Sequence, residues 1–150
     1  MSGGKLSLMK KLILLFLLIP NLVMAASFDC DKASTKHEKM ICDGQKYYEA
    51  AIRRYSTMKD EDMGVGESSK KVVEELKAAH QSFVSFRESF CGAAYSQAGG
   101  TRRNNVYENC VEVLTQRYTY QLWDQFLSDR AGREIPGYPR KPKITYEVLL

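Results

Sequence analysis

The residues best able to carry out chemistry in this sequence are its four cysteines and two histidines. Cys30, His37 and Cys42 lie close together near the start of the chain. Thiolates and imidazoles are ligands that zinc prefers, but the spacing of these three residues fits no common zinc motif. A catalytic cysteine would need an activating base and would leave one partner unpaired, whereas the cysteine count is even. We therefore predict no metal site, no cysteine nucleophile and no cofactor.

Acidic and basic clusters give equally little support for catalysis. Glu74 and Glu75 are neighbours, and side chains one residue apart on a helix do not face a common cleft. The sequence has no GxSxG, no HExxH and no phosphate-binding loop. Two isolated arginine pairs, Arg53-Arg54 and Arg102-Arg103, are too sparse to indicate nucleic-acid binding. We predict that the protein is not an enzyme and that nucleic acid is not its partner.

The first 25 residues have the pattern of a signal peptide. Lys5, Lys10 and Lys11 precede an apolar run over residues 12–19, and Val23-Met24-Ala25 is a small-x-small cleavage motif. The run is too short to span a bilayer comfortably, so we predict no stable membrane anchor after cleavage. Three of the 22 basic residues lie in this segment, which leaves 19 against 18 acidic residues in the predicted mature chain. The mature protein is thus nearly neutral, and we expect it in the periplasm or secreted.

All four cysteines lie in the predicted mature part, which favours two disulfides. Three pairings are open. Short loops favour Cys30–Cys42 and Cys91–Cys110, whereas a crossed pairing would pin the N-terminal helix to the third and fourth helices.

Apolar spacing predicts an all-α fold, a small disulfide-bonded helical bundle with three main helices plus a short N-terminal one. Thr35 and Glu38 have capping-box spacing and begin the short helix, which we expect to end at Gly44. The next helix covers residues 45–58, and its apolar positions recur at helical spacing; they are Tyr48, Ala51, Ile52 and Tyr55.

The third and fourth helices are predicted from longer apolar stripes. The third begins at Ser68 or Ser69 and ends at Cys91, with Gly92 as its C-terminal cap; its stripe is Val72, Leu76, Ala79, Phe83, Phe86 and Phe90. The fourth covers residues 106–128 after an Asn105 cap; its buried face is Tyr107, Val111, Leu114, Tyr118, Leu122 and Phe126.

These boundaries divide the chain into a signal peptide (1–25), a helical domain (26–130) and a flexible, basic, proline-rich tail (131–150). Between the last two helices, residues 92–104 form a predicted loop rich in small residues. A disulfide between Cys91 and Cys110 would close its base, and a clamped loop on a rigid bundle presents a preordered contact surface. The loop reads equally well as a simple connector.

Two motif blocks resemble the LprI-type family of small exported lysozyme-inhibitor-like proteins. The first is Phe28-Asp29-Cys30-x-Lys32-Ala33 followed by Glu38-Lys39-x-Ile41-Cys42. The second comprises Gln81, Arg87, Cys91, Gly99-Gly100-Thr101, Tyr107, Cys110, Leu114-Thr115, Arg117 and Leu122. The resemblance covers roughly residues 28–122. It implies a helical, disulfide-bonded periplasmic or cell-envelope protein that binds and inhibits lysozyme.

On that resemblance we expect the loop to occlude the cleft of lysozyme or a related wall hydrolase. The candidate partner-binding residues are Tyr95, Gln97, Gly99, Gly100 and Thr101. Animal lysozymes are typically cationic, and an acidic cluster at residues 60–67 could attract them. Two other functions remain open: a periplasmic immunity protein against a delivered toxin, and a structural or assembly factor of the cell envelope.

Overall fold

The computed structural model describes residues 29–63 and 68–145; the predicted signal peptide lies outside them. Three long helices form the bundle: α1 (Lys36–Thr57), α2 (Ser69–Gln97) and α3 (Arg102–Leu122). Short 3-10 turns cover Cys30–Lys32 and Asp60–Asp62, and a π-helical turn, Trp123–Leu127, continues α3. The described residues form no β-strand, only an isolated bridge between Ser128 and Glu134. The predicted all-α, disulfide-bonded bundle is confirmed.

Helix α1 begins at the capping box that the sequence predicts. The Thr35 hydroxyl accepts a hydrogen bond from the Glu38 backbone N–H at 3.1 Å. The Glu38 carboxylate in turn accepts from the N–H groups of Thr35, at 2.9 Å, and Ser34, at 2.7 Å. These bonds favour the ionised carboxylate and hold the pKa of Glu38 at about 2.

The predicted end of the first helix at Gly44 is wrong, because α1 runs through this residue without a break. Gly44 is buried, and a Cβ atom there would lie 3.1 Å from both Thr115 Cγ2 and Thr119 Oγ1 on α3. Glycine therefore lets α1 and α3 approach closely at this point. The residue that suggested a helix end is instead part of a helix–helix contact.

The core lies where the three helices and the π-helical turn meet. Its buried members are Ala50, Ala51, Leu76, Leu122, Trp123 and Leu127. The predicted stripe of α1 faces this core, with Ala51 fully buried and Tyr48 and Ile52 partly buried. On α3 the predicted face is also correct, since Val111 and Leu122 are buried and Tyr118 packs against the core.

Helix α2 extends further than the sequence predicts, and α3 starts earlier. Gly92 lies inside α2, which ends only at Gln97. Ala93 and Ala94 follow Gly92, and alanine has the highest helix propensity, so one glycine does not stop the helix. The connection to α3 is consequently residues 98–101, not the predicted 92–104. Arg102 begins α3, so Asn105 is an internal residue, not a cap.

An aromatic ladder joins the three helices at mid-height. His80 of α2 stacks on Tyr48 of α1, with ring centroids 3.8 Å apart, and its Nδ1 hydrogen-bonds the Tyr118 hydroxyl of α3 at 3.0 Å. Phe83 of α2 stacks on the Tyr118 ring, with the two ring centroids 3.9 Å apart. Burial strongly raises the pKa of the Tyr118 hydroxyl, which stays neutral.

Residues 129–145 leave the bundle end and lie along α1 and α3. They are not helical, as the prolines predict. The Tyr47 hydroxyl donates to the Arg140 carbonyl at 2.8 Å, and the Thr145 N–H donates to Gln116 Oε1 at 3.1 Å. Lys141 places its ammonium 5.3 Å from the ring centroid of Trp123. The flexible tail stays a prediction, but its described part has defined contacts with the bundle.

Candidate functional site

One end of the bundle gathers both disulfides and the connection between α2 and α3; we call it the disulfide end. Cys30–Cys42 and Cys91–Cys110 are bonded, with Cα atoms 5.5 and 5.6 Å apart. This is the pairing that the short loops favoured. The start of α1 lies here too, because Lys36 pairs with Glu112 of α3 at 3.3 Å.

All four cysteines of the chain are therefore oxidised. A disulfide sulfur is neither a zinc thiolate nor an attacking nucleophile. In the oxidised protein these four cysteines therefore supply neither zinc ligands nor a catalytic nucleophile. The disulfides serve instead to hold the N-terminal turn against α1 and the end of α2 against α3.

The turn between α2 and α3 is short and fixed in shape. Gly100 has φ +60°, which is strained for any residue with a side chain. The Arg103 Nε donates to the Ala98 carbonyl at 2.7 Å, which joins the two sides of the turn. Deeper in the bundle, α2 and α3 are also linked by the Cys91–Cys110 disulfide and by the hydrogen bond from the buried Arg87 to the Thr115 hydroxyl. The turn is accordingly mounted on a braced helix pair.

The five predicted contact residues are all exposed at the disulfide end, and we call them together the turn surface; they are Tyr95, Gln97, Gly99, Gly100 and Thr101. Tyr95 and Gln97 lie in the last turns of α2 and not in a loop, which corrects the predicted loop boundaries. The glycines lie in the turn, and a Cβ at either would have open space around it. The Thr101 side chain forms no capping hydrogen bond on α3. All five residues thus lie in or directly beside the turn and are exposed to solvent.

Tyr95 is held at the edge of this surface by neighbouring aromatic and charged groups. Its ring is 38% exposed and contacts Tyr107 edge-on at a centroid distance of 6.4 Å. The Arg103 guanidinium lies 5.7 Å from the Tyr95 ring centroid, within range of a cation–π interaction. Both contacts restrict the Tyr95 rotamers before any partner binds.

Beneath the surface, Tyr107 anchors a polar network that crosses from α3 to α2. Its hydroxyl donates to Glu88 at 2.7 Å, and Glu88 pairs with the buried Arg87 at 3.0 Å. The hydrogen bond to Glu88, with partial burial, raises the pKa of Tyr107. Arg87 also donates to the Thr115 hydroxyl of α3 at 3.3 Å. This network supports the turn surface from below.

The acidic cluster predicted to attract a cationic partner is described only in part, because residues 64–67 lie outside the described residues, and its described part lies elsewhere. Asp60, Glu61 and Asp62 follow α1, at the end of the bundle opposite the disulfides. A cleft of about 440 Å³ opens beside them, lined by residues that include Tyr55, Asp62 and Asp124. The turn itself is flanked by Arg102 and Arg103. The acidic segment and the turn surface therefore cannot form a single contact patch.

Two exposed phenylalanines were not anticipated as surface residues. Phe86 and Phe90 were assigned to the core, but they are 53% and 54% exposed. Arg87 and Cys91 take their places in the interior. The signal that could have shown this is the period of the stripe, because a strict heptad drifts around a straight helix.

Comparisons with known proteins match the helical bundle to one family. No curated protein and no solved structure matches the chain. None of the helices in residues 29–63 and 68–145 is long and apolar enough to cross a membrane. A family model described as Lysozyme inhibitor LprI matches residues 30–122. That span contains both disulfides, the aromatic ladder and the whole turn surface, and it covers more than half of the chain. The chain therefore belongs to the lysozyme inhibitor LprI family.

Proposed function

We propose that this protein is an exported inhibitor that blocks the cleft of lysozyme or a related cell-wall hydrolase with its turn surface. Family membership supports an inhibitor-like binding function, and two disulfides are consistent with a location outside the cytoplasm. The observation that carries the assignment of the site is the exposed turn braced by Cys91–Cys110.

The shape of the turn suits insertion into a cleft. Gly99 and Gly100 carry no side chains, so the tip is thin. The backbone groups of this tip, together with Gln97 and Thr101, offer hydrogen-bond donors and acceptors of the kind that a polymer-binding cleft can accept. Tyr95 adds an aromatic contact beside the tip.

Rigidity is the second requirement, since an inhibitor that is already ordered loses less entropy on binding. The disulfide, the Arg103–Ala98 hydrogen bond and the network through Tyr107 each restrict the turn. Reduction of the disulfides would leave the residues in place but relax the support beneath them.

The test is a titration of the oxidised, secreted chain against wall lysis by several classes of lysozyme. We expect stoichiometric inhibition of at least one class, weakened when the disulfides are reduced. Tyr95→Ala and Gln97→Ala should each raise the concentration for half-inhibition by about tenfold, the effect of a strong interface residue. Gln81→Ala is the matched control, because Gln81 is another exposed glutamine of α2, away from the turn.

The outcomes separate the function from the site. Inhibition that is unchanged in Tyr95→Ala and Gln97→Ala would show that another surface binds the enzyme. No inhibition of any class by the folded, oxidised chain would contradict the proposed function itself.

A further inference from the structure

The outer face of α2 carries an apolar surface that the bundle does not use. Phe86 and Phe90 stack on each other, with ring centroids 5.3 Å apart, and more than half of each side chain is exposed. Ser82 and Ala93 are exposed on the same side of the helix, at helical spacing from the two rings. We call these four residues the phenylalanine face.

The spacing of apolar residues along α2 explains why this face exists. Its predicted stripe ends at Phe90 and alternates steps of four and three residues, a period of 3.5; Ala93 and Gln97 follow at the same spacing. A straight helix has 3.6 residues per turn, so such a stripe drifts by about 20° per heptad. Leu76 is buried, whereas Ala79, Phe86 and Phe90 of the same predicted stripe are exposed. The buried side of α2 follows the 3.6-residue period of a straight helix, so Arg87 and Cys91 are buried instead.

Charge is absent from the phenylalanine face. Among residues 82–97, the charged side chains are Arg87, which is buried, and Glu88, which bonds to Arg87 and Tyr107. The exposed remainder is mainly serine, alanine, glutamine and aromatic. The chain as a whole is 27% charged, so this stretch departs from the rest of its surface. Loss of charge with aromatic enrichment is the composition found at the centre of protein interfaces.

We infer that the phenylalanine face binds the same face of a second copy of this chain, with the two α2 helices antiparallel. A heptad repeat is the pattern that packs one helix against another in a left-handed supercoil. An uncharged face is complementary to itself, because no like charges meet when two copies pair around a two-fold axis. The near-neutral mature chain adds no long-range repulsion. Ser82 and Ala93 are small and let the two helices come within contact distance.

Register follows from the positions of the rings. In an antiparallel pair, Phe86 of each copy can lie against Phe90 of the other. The two-fold axis then produces this contact twice, once on each side of the axis. The two turn surfaces then lie at opposite ends of the pair and stay accessible. The inference is thus independent of lysozyme inhibition.

The size of the face sets the expected strength. Residues 82–97 span about 22 Å of helix. Two such faces bury on the order of 1,000 Å² in total, which belongs to the smallest class of specific interfaces. The dimer should therefore be weak and reversible, with a monomer predominating at low micromolar concentration.

The test is sedimentation equilibrium of the oxidised, secreted chain from about 1 to 500 μM, a range chosen for an affinity of that order. We expect the apparent mass to rise from monomer towards dimer. Phe86→Ser with Phe90→Ser should weaken association at least tenfold. Ile144→Ser is the matched control, since it removes an exposed apolar side chain outside the face and should dimerise normally.

A second variant tests the same face in case the double substitution impairs folding. Ala93→Glu keeps both rings and a helix-favouring residue, but it introduces a charge into the face of each copy. It should also remain monomeric, with unchanged helical content. A wild-type chain that stays monomeric throughout the range, or variants that dimerise like wild type, would overturn the inference. So would a monomeric wild type whose lysozyme binding is lost in the double variant, because the face would then belong to the target.

Discussion

At the scale of single residues, two glycines in helices have opposite roles that the sequence does not distinguish. Gly44 was predicted to end a helix and Gly92 to cap one, but both lie inside helices. Gly44 faces Thr115 and Thr119 across a tight helix crossing, whereas nothing lies within 4 Å of a Cβ built at Gly92. The difference depends on which helix packs opposite, information that local sequence does not contain.

Alanine substitution at the two glycines should therefore change stability in opposite directions. Gly44→Ala gains helix propensity but crowds the side chains of Thr115 and Thr119. The Thr119 hydroxyl donates to the Thr115 backbone carbonyl and the Thr115 hydroxyl accepts from Arg87, so neither side chain is free to move away. We expect the free energy of unfolding of Gly44→Ala to fall by roughly 1 kcal/mol, since overpacking costs more than propensity returns. Gly92→Ala should gain about 0.5–1 kcal/mol. Urea unfolding of both variants checks this, and equal stabilisation by the two would contradict the close crossing.

His80 should make stability fall in mild acid. Its burial, then the nearby Arg87 charge, lowers the pKa of His80 below its ordinary 6.5, while Glu49 acts the other way. Tyr48 and Tyr118 enclose the ring and carry no charge at this pH. The unfolded chain therefore binds a proton that the folded chain resists, so stability is full above about pH 6.5 and declines as pH falls below it.

The measurement is the free energy of unfolding of wild type and His80→Phe between pH 8 and pH 5. Phenylalanine keeps the stacking but cannot titrate, and His37 is present in both chains. We expect the advantage of wild type to shrink as the pH falls. An advantage that is constant with pH would show that His80 does not control the acid response.

At the scale of elements, Arg54 joins the end of α1 to the end of the π-helical turn. Its Nη1 donates to the carbonyls of Phe126, at 2.6 Å, and Ser128, at 3.3 Å. A cation at a helix C-terminus satisfies carbonyls that the helix leaves free. Arg54→Ala should cost about 1.5–3 kcal/mol, because these are charged hydrogen bonds in a partly buried place. Arg53→Ala, at the exposed neighbouring position, is the control and should change the free energy of unfolding by less than about 0.5 kcal/mol. Thermal unfolding of both variants is the measurement. Equal losses of stability in the two variants would show that the Arg54 contact is unimportant.

Element type was predictable from sequence, but element ends and facing partners were not. The Thr35–Glu38 capping box, the α1 stripe and the α3 face all appear as predicted, because each depends on residues a few positions apart. The predicted end of α2 at Cys91 is wrong, because the helix propensity of the alanines after Gly92 outweighs the cost of a single glycine. Phe86 and Phe90 were assigned to the core because the stripe was followed without its drift. The five residues of the turn surface are all exposed, and their role in binding a partner stays a prediction.

At the scale of the whole molecule, residues 129–145 act as a cover for one side of the core. Trp123 is the only tryptophan of the chain and is 2% exposed. Lys141 lies near its ring and near that of Tyr120, and Tyr138 packs against the core cluster. The predicted domain boundary at residue 131 would place these contacts in a separate tail, yet the core residue they cover belongs to the helical domain.

Truncation tests whether the domain ends at that boundary. A chain that stops at Arg133 loses the Tyr138 and Lys141 contacts and the Thr145–Gln116 hydrogen bond, so water should reach Trp123 and shift its fluorescence to longer wavelength. We expect a loss of about 2 kcal/mol in the free energy of unfolding, the order of one buried aromatic residue. A chain that stops at Thr145 keeps these contacts and is the matched control. If the shorter chain retained both the emission and the stability of the control, the bundle would be complete without the segment, and a contribution of the tail to the fold would be ruled out.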